Sequence, residues 1–431
     1  MARKMKDSGI EWIGEIPEGW EVAKLKNIAS IVRGGSPRPI EAYMSDNDND
    51  VNWIRISDTE KGSKYITHTS RKLIASGISK SRFIKRGSLI LTNSMSFGEP
   101  YILDIDGCIH DGWVAFSDFK KIDKEFLYYF LTSPLAKIQF EQQVDGGVVK
   151  NLNIDKIGDT VILLPSLIDQ NKIIAHLDSL TSETNSLLSK TITSIEEYKQ
   201  LKQAVITQAV TKGVRGKREM KDSGVEWIGA IPKDWEIKRL KSFCTIVDCK
   251  NRTPDVFPDG KYTVVRTTCI KDCSFSYEGS YQTDTTNFKA WTLKGQPHKG
   301  DIFFTREAPV GEACLVPNAD NLCMGQRVMF FRPEDNSDAR YIMYSIYGPL
   351  VREYIASKNS GSTVGHLKLG QVACIPIFYC PPLEQKEIAD YLDAKCAEID
   401  KLIAKKEQLV KELESYKKSL IYEVVTGKRE V

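Results

Sequence analysis

The chain has 431 residues, and at about 150 residues per domain this length predicts two to four domains. Hydrophobic residues make up 41% and charged residues 27%, and 60 basic against 57 acidic side chains leave a net charge of +3. This composition excludes wholesale disorder, and it requires any basic surface that binds nucleic acid to be local.

The start of the sequence, its hydropathy and its cysteines predict a cytoplasmic protein. The start, Met1-Ala2-Arg3-Lys4, leads into a polar stretch without an apolar signal core, and no window approaches 18 consecutive apolar residues. Cys108 is the one cysteine of the first half, whereas nine of the ten lie from Cys244 onward. This distribution indicates reduced thiols and not a disulfide framework, so we expect no membrane span and no secretion.

The opening segment of the chain occurs twice. Met5–Gly14 reads MKDSGIEWIG, and Met220–Gly229, 215 positions later, reads MKDSGVEWIG. A second shared block starts at Asp169-Gln170 and returns at Glu384-Gln385, again 215 positions later. The chain is therefore two halves, each with an opening block, a body and a closing block.

The two bodies differ in sequence but share a skeleton. Residues 36–80 and 251–295 have little in common, yet Lys85–Thr92 resembles Lys299–Thr305. We infer one fold with different exposed residues, as two modules for two different ligands would have. Glycine breaks and short β-like runs predict an α+β body built around a curled mixed sheet. The predicted strands are 52–56, 88–92, 263–266, 301–305 and 327–331, with short helices at 125–131 and 339–346.

The closing blocks predict two long helices, Asp169–Thr211 and Leu383–Thr426, because neither holds a proline or a glycine. Each would have about 40 residues and a length of roughly 60 Å. Seam positions recur at alternating steps of four and three residues, which is a heptad pattern. Its predicted seam residues are Ile173, Leu177, Leu180, Leu187, Tyr198, Leu201 and Val205 in the first helix and Ile388, Leu392, Ile399, Leu402, Leu409, Leu413, Tyr416 and Leu420 in the second.

A heptad run can also serve as a self-contained spacer or a homodimer zipper. Two equal runs in one chain favour an intramolecular antiparallel pair, with the bodies at opposite ends and related by a pseudo-twofold axis. The predicted domain boundaries are a first body with its opening block at 1–166, a first helix at 167–213, a second body at 214–382 and a second helix at 383–431.

The sequence lacks the usual catalytic signatures. Gly216-Lys217, Gly260-Lys261 and Gly427-Lys428 are not followed by Ser or Thr, so there is no phosphate-binding P-loop. No helix opens with GxGxxG, and neither HExxH nor the motif of amino methyltransferases is present. The cysteine pairs at Cys269 and Cys273 and at Cys374 and Cys380 do not have zinc spacing. We therefore expect a binding and organising protein without a metal or cofactor of its own.

The repeated blocks resemble the specificity subunits of type I restriction–modification systems. The resemblance rests on Asp7–Gly14 with its second copy and on the passage from Ser360 through Ile375-Pro376 to Gln385, whose first copy runs from Gly146 to Gln170. It covers essentially the whole chain.

The resemblance implies that each body is a target recognition domain for one half of a bipartite sequence in double-stranded DNA. The paired helices would be a spacer between the half-sites. It further implies a chain without a catalytic site that joins two methylation subunits, which bind S-adenosylmethionine and modify adenines. Restriction subunits that use ATP and Mg²⁺ would complete a nuclease. Because the two bodies differ, we expect an asymmetric target.

DNA contacts are expected from loops that carry Arg, Lys, Asn, Gln, Ser or His, the side chains that reach phosphates and base edges. For each residue the alternative is a solvated charge or a turn-stabilising hydrogen bond, above all for the loop histidine His110. The candidates are Arg33, Ser36, Arg38, Arg55, Asn93, Ser94, His110, Lys150 and Asn151 in the first half and Lys250, Asn251, Arg252, Arg266, Arg306, Gln326, Arg327, His366 and Lys368 in the second.

Trp12, Trp20, Trp227 and Trp235 could stack on bases. Their recurrence in otherwise different bodies favours a packing role or a partner surface instead. Two other functions stay open at this point: a bivalent adaptor with two binding modules on a coiled-coil rod and no role on DNA, and an enzyme with an unrecognised site.

Overall fold

The computed structural model describes residues 3–60, 62–94, 97–143, 152–359 and 365–431. The chain divides into two compact units, and each unit joins one body to parts of both long helices. The first unit holds residues 1–192 and 407–431, and the second holds residues 193–406.

The first half of the chain contains short strands and helices followed by one long helix. Its strands are β1 Met5–Asp7, β2 Glu15–Pro17, β3 Glu21–Lys24, β4 Ser30–Arg33, β5 Met44–Ser45, β6 Val51–Ile54, β7 Tyr65–Ile66, β8 Lys72–Leu73, β9 Arg82–Ile84, β10 Leu89–Thr92, β11 Pro100–Leu103, β12 Gly107–Ile109, β13 Trp113–Ser117 and β14 Val161–Leu164. Its helices are α1 Leu25–Ile28, α2 Ala75–Ile78, α3 Lys124–Thr132, α4 Pro134–Gln143, α5 Ile154–Gly158 and α6 Leu167–Lys212.

The second half repeats this order. Its strands are β15 Met220–Asp222, β16 Ala230–Pro232, β17 Glu236–Arg239, β18 Cys244–Val247, β19 Tyr262–Val265, β20 Ile270–Lys271, β21 Ser274–Phe275, β22 Tyr281–Thr283, β23 Ile302–Arg306, β24 Val310–Leu315, β25 Leu322–Met324, β26 Val328–Pro333 and β27 Pro376–Tyr379. Its helices are α7 Thr285–Trp291, α8 Ala339–Ile346, α9 Pro349–Asn359, α10 Leu369–Ala373 and α11 Pro382–Val425. The predicted α+β class is confirmed, and α6 and α11 begin and end within two residues of their predicted bounds.

The main sheets of the two bodies have the same strand order. One sheet runs β4-β13-β10-β11 in the first body and β18-β26-β23-β24 in the second. A second sheet holds a parallel pair, β6 with β12 in the first body and β19 with β25 in the second. The mixed sheet predicted for each body is thus divided into two main sheets. Buried Ile54 and Ile109 of one sheet and Ile90 and Trp113 of the other share a core in the first body.

Both units bury the end of one long helix beside the start of the other. In the first unit, Ile173 and Leu177 of α6 share a core with Leu420 and Val424 of α11. Further along α6, Lys417 Nζ donates to Asn185 Oδ1 at 2.8 Å. Because α6 advances towards Asn185 while α11 goes back to Lys417, the helices run antiparallel there.

The second unit shows the same arrangement with the ends exchanged. Ile206 and Val210 of α6 share a core with Leu392 and Ile388 of α11, and Lys202 Nζ lies 2.7 Å from the Asp400 carboxylate. The predicted antiparallel pairing is confirmed within each unit.

Ten of the fifteen predicted seam side chains are buried or half-buried in the fold. Ile173, Leu177, Ile388, Leu392, Ile399 and Leu420 are buried, and Leu180, Tyr198, Val205 and Leu413 are half-buried. The other five, Leu187, Leu201, Leu402, Leu409 and Tyr416, are between 36% and 53% exposed.

The covered face passes one residue later than predicted, through Thr181, Leu188, Lys202, Ile403 and Val410. Steps of three and of four both stay on one helix face, so the apolar pattern admits either phase. Polar residues occupy several covered positions. Thr181 is buried, and its hydroxyl is satisfied because it donates to the Leu177 carbonyl at 2.6 Å. The aliphatic stem of Lys202 is covered while its ammonium reaches Asp400.

A buried glutamine ties each long helix to its body. Gln170 Oε1 accepts from the Asp123 amide at 2.7 Å, and Gln385 Oε1 accepts from the Asp338 amide at 3.0 Å. Both glutamine side chains are fully buried. Asp123 and Asp338 are the N-caps of α3 and α8. Each of these hydrogen bonds therefore fixes the start of a body helix against one of the long helices. Across the described ranges, no helix is both long and apolar enough to traverse a bilayer.

Candidate nucleic-acid interface

The first body carries a cleft of about 680 Å³ at one edge of its sheets. Three separate segments form it: the loop after β4, the turn after β6 and the loop after β12. Four of the predicted DNA-binding residues, Ser36, Arg38, Arg55 and His110, lie together in its wall. The remaining lining residues are Pro37, Pro39, Ile40, Trp53, Ile56, Ser57 and Asp111.

Strand pairing and two glycines bring these segments together. Strands β6 and β12 are parallel neighbours, so their carboxyl ends and the residues that follow, Arg55 and His110, lie at the same edge. A Cβ on Gly34 would lie 2.0 Å from the His110 carbonyl oxygen, and one on Gly112 would lie 2.2 Å from the His110 ring. Only glycine permits these close approaches to the backbone and the ring of His110.

Asp111 organises the rim of the cleft. Ser36 Oγ donates to its carboxylate at 2.7 Å, a hydrogen bond that lowers the pKa of Asp111, and Arg33 Nε donates to its carbonyl at 3.0 Å. Arg38 lies 3.8 Å from the same carboxylate, but 85% of its side chain is exposed. Arg38 is therefore placed to reach a phosphate, whereas Ser36 and Arg33 also hold the loop.

Arg55 is fixed inside the cleft. Its Nη2 donates to Ser70 Oγ at 2.5 Å and contacts Asp58 Oδ1 at 3.4 Å, and about a third of the side chain, 34%, remains exposed. Burial alone would raise the pKa of Asp58, but hydrogen bonds from Ser70 and from the Arg55 amide outweigh it and lower the pKa. The anionic Asp58 holds the guanidinium in one orientation, as a base-reading arginine requires.

His110 has a largely structural environment. The amide of Gly112 lies 2.6 Å from Nδ1 and the amide of Ile56 lies 3.3 Å from Nε2, so both ring nitrogens face backbone N–H groups. Burial lowers the pKa of His110 below its ordinary value, which favours the neutral ring. Because only 18% of the side chain is exposed, the ring shapes the cleft wall more than it projects from it.

The second body has a corresponding edge, formed by the equivalent parallel strands β19 and β25. Arg266 follows β19 as Arg55 follows β6, and Gly325 donates to the Val265 carbonyl at 2.8 Å where His110 contacts the Ile54 carbonyl at 3.4 Å. Gln326 and Arg327 thus occupy the places of Asp111 and Gly112. Arg266 and Arg327 are exposed, and Gln326 is half-buried.

Arg306 differs from its neighbours because its charge is already paired. Its Nη1 donates to both carboxylate oxygens of Asp248 at 3.0 and 3.2 Å, and its Nη2 donates to Asn251 Oδ1 at 3.1 Å. Only 11% of the side chain is exposed. This arginine therefore orders the loop from Asp248 to Asn251, and it presents little of its guanidinium to a ligand.

The loop after β18 carries two further predicted DNA-binding cations, Lys250 and Arg252. Lys250 Nζ lies 4.7 Å from the Trp291 ring centroid, a cation–π contact, and the Trp291 indole N–H donates to the Arg252 carbonyl at 3.0 Å. Arg252 and Asn251 are exposed, and Gln326 Nε2 donates to the Asn251 carbonyl at 3.4 Å. Lys250, Asn251, Arg252 and Gln326 consequently form one surface.

Glu307 connects two further candidates: Arg327 Nε and His366 Nδ1 each lie 3.4 Å from its Oε2. Lys368 is exposed just beyond, at the start of α10. Among the candidates of the first body, Asn93 is buried, and Ser94 is half-buried beside Gly112. Lys150 and Asn151 lie outside the described residues.

Sequence reasoning missed the acidic residues that hold these cations. Asp58, Asp248 and Glu307 each pair with a predicted arginine, and Asp111 accepts from Ser36. A usable signal was present for one of these pairs, since Asp58 comes three residues after Arg55. A search for basic side chains alone does not register such pairs.

The described residues offer neither a metal-binding cluster nor, at Cys314 and Cys323, an activated thiol. Within the described ranges, no group of three or more His, Cys, Asp or Glu side chains could hold a metal ion. Burial raises the pKa of Cys314 and of Cys323 to about 12, so neither thiol is an activated nucleophile. The arrangement provides fixed and exposed cations, amides and hydroxyls, which can bind phosphates and base edges.

One protein family model matches the chain twice, once in each half. A family model described as the type I restriction modification DNA specificity domain matches residues 17–197 and again residues 232–412. The second match begins at 232 and the first at 17, so they are separated by the 215 residues of the internal repeat.

Several specificity subunits resemble the chain over its length. The type I restriction enzyme MjaVIII specificity subunit of Methanocaldococcus jannaschii is 23% identical over 96% of this chain and 93% of its own. The putative MjaX specificity subunit of the same organism is 25% identical over 96% of this chain and 95% of its own. The EcoBI specificity subunit of Escherichia coli is 24% identical over 54% of this chain and 48% of its own.

A solved structure has the same fold. It was described for complex assembly and conformational transition of a type I R-M system, and it matches with a TM-score of 0.70 and 17% sequence identity. The match covers 96% of this chain and 99% of the other.

Proposed function

The chain belongs to the type I restriction–modification DNA specificity family, and from that premise we propose that its bodies read the two halves of an asymmetric bipartite DNA sequence. It is a non-catalytic specificity subunit that confers DNA sequence specificity. The comparisons give no support to an adaptor without a role on DNA.

The proposal of an asymmetric target rests on one observation: the two bodies share a backbone arrangement but present different side chains on it. In both bodies a parallel strand pair ends in an arginine, Arg55 or Arg266, beside a loop that the neighbouring strand supplies. That loop reads His110-Asp111-Gly112 in the first body and Gly325-Gln326-Arg327 in the second. Equivalent positions that offer different donors and acceptors select different bases.

Within the first body we assign different roles to two arginines. Arg55 is held by Asp58 and Ser70 inside the cleft and is the better candidate for a base edge. Arg38 is almost fully exposed at the rim and is the better candidate for a phosphate.

The partners follow from the division of labour within such a complex. The chain associates with DNA and with other restriction–modification subunits. We further propose two methylation subunits, one for each repeat, which bind S-adenosylmethionine and take the flipped adenine into their own pockets. Restriction subunits that use ATP and Mg²⁺ would join the same assembly in the cytoplasm, where the DNA lies.

The test is to co-express the chain with its methylation subunit in a host that lacks adenine methylation and to sequence the methylated genome. We expect one bipartite motif with two different halves that disappears when the chain is omitted. A palindromic motif would contradict the asymmetry, and methylation that persists without the chain would contradict the specificity role. The isolated chain should not turn over S-adenosylmethionine or ATP.

A further inference from the structure

The two opening hairpins, defined as residues 5–17 and 220–232, have nearly identical backbones. The amide of Ser8 donates to the Gly14 carbonyl at 3.0 Å, and that of Ser223 donates to the Gly229 carbonyl at 3.1 Å. Gly9 and Gly224 both have a φ of +74°. Both turns therefore present the residues between them in the same way.

Each opening hairpin exposes a tryptophan at its turn. Trp12 is 48% exposed and Trp227 is 52% exposed. The hairpins are anchored by other side chains: Ile16 with Trp20 and Ile231 with Trp235 are at most 2% exposed. Tryptophan is enriched at the centres of protein interfaces, so a half-exposed indole on both turns favours a surface that is covered in a complex.

The charges beside the indoles argue against DNA as the covering partner. Glu11 and Glu226 directly precede the two tryptophans and are exposed, so a phosphate backbone would be repelled at that point. Lys6 and Lys221 are exposed on the preceding strands, which makes these faces mixed in charge instead of cationic. The proposed DNA-binding loops also differ between the bodies, whereas residues 5–14 and 220–229 differ only at Ile10 and Val225.

We propose that the opening hairpins are docking sites for the two methylation subunits, with one copy on each hairpin. This inference rests on the proposed assembly with two such subunits. The same surface presented twice fits one partner bound twice, and each indole would enter an apolar pocket with a basic side chain opposite Glu11 or Glu226. Large aromatic side chains commonly dominate the binding free energy of such interfaces.

The experiment titrates the full-length chain with methylation subunits and counts bound copies by native mass spectrometry. Trp12→Ala and Trp227→Ala should each weaken one copy by about 30-fold or more, the effect expected of a central interface tryptophan. The double variant should lose both copies, whereas Trp→Phe at both positions should retain most of the affinity. Tyr277→Ala is the matched control, because Tyr277 is 54% exposed and lies outside the hairpins. Thermal unfolding of each variant checks that the chain still folds.

The outcomes separate this inference from the proposed function. If the unaltered chain binds two copies and the folded double variant binds two with equal affinity, the hairpins are not the docking sites. A photo-crosslinking side chain at position 12 that captures DNA instead of the methylation subunit would overturn the assignment as well. If the unaltered chain binds no methylation subunit, the proposed assembly fails together with it.

Discussion

The guanidinium of Arg306 donates two hydrogen bonds to the carboxylate of Asp248, at 3.0 and 3.2 Å. The backbone of Arg306 is equally occupied: its amide donates to the Arg327 carbonyl and its carbonyl accepts from the Leu367 amide, each at 3.0 Å. One residue thus connects three loops of the second body. Asn93 has the same backbone contacts in the first body, with Gly112 at 2.9 Å and Leu152 at 2.8 Å.

This relationship predicts a stability defect for Arg306→Ala. The change leaves the Asp248 carboxylate, 19% exposed, without its cation and should destabilise the second unit by about 3 kcal/mol. Hydrogen exchange in β18 and β23 should quicken, while β10 in the first unit serves as the internal reference.

Arg327→Ala is the matched variant. Because that side chain is 44% exposed, its removal should alter unfolding by no more than about 0.5 kcal/mol and should still relax the second half of the methylated motif. Equal destabilisation by the two variants would contradict the structural role given to Arg306.

Arg55 and Arg38 should give different binding defects. Arg55→Gln removes a positioned guanidinium and should cost about 1–3 kcal/mol of discrimination at one position of the first half-site. Arg38→Ala should weaken binding to all sequences alike and lower the slope of log affinity against log salt by about one. Fluorescence titrations of the assembled complex over a series of salt concentrations measure both. Loss of discrimination with Arg38→Ala and none with Arg55→Gln would reverse the assignment.

The sequence was sufficient for features that rest on repetition and period. The 215-residue offset gave the duplicated order, and the absence of Pro and Gly gave both long helices. It was insufficient where side chains from distant segments meet. Ser36, Arg55 and His110 form one cleft through strand pairing, and no local pattern encodes that pairing.

Polar residues in covered positions were the second source of error. Leu201 was placed in the seam because it is apolar, but the neighbouring Lys202 is covered instead and its ammonium reaches Asp400. Arg306 was predicted as a DNA contact, yet the Asp248 carboxylate pairs with its guanidinium within the fold. In each case a specific partner outweighs the average preference of the residue type.

The buried His110 predicts that the stability of the first body depends on pH. Burial lowers the pKa of His110 in the fold below its ordinary 6.5, so the unfolded chain binds the proton more readily than the folded one. Stability is therefore fully present above about pH 6.5 and falls as the pH drops below that value. Hydrogen exchange of residues 107–113 at pH 7.5 and 5.5, corrected for intrinsic rates, measures the loss, with residues 322–327 as reference. His110→Gln should abolish the difference; if it persists in that variant, another group is responsible.

Exchange of residues 33–160 for the equivalent body of a relative should change only the first half of the methylated motif. The cleft residues Ser36, Arg38, Arg55 and His110 all lie within this segment, whereas Arg266 and Arg327 do not. Genome-wide methylation sequencing of the chimera and of the parent shows both halves at once. A simultaneous change of both halves would mean that the bodies do not read independently.

The last prediction concerns the spacer between the half-sites. Each helical residue adds about 1.5 Å and each base pair about 3.4 Å, so helix length should set the number of unread base pairs. The sequence alone favours an insertion of four residues near Gln208 to Lys212. There, however, Ala209 and Val210 are buried against the second body, and the insertion would disrupt their packing.

A better design inserts seven residues into both helices at the division between the two compact units, after Ile192 in α6 and after Lys406 in α11. Seven residues preserve the heptad phase, and each helix grows by about 10 Å, close to three base pairs. Methylation sequencing should then show unchanged half-sites and a spacer longer by about three base pairs. Insertion into α6 alone is the control, because it breaks the pairing with α11 and should abolish methylation. A double-insertion variant that methylates the original motif with its original spacer would show that the helices do not set the distance.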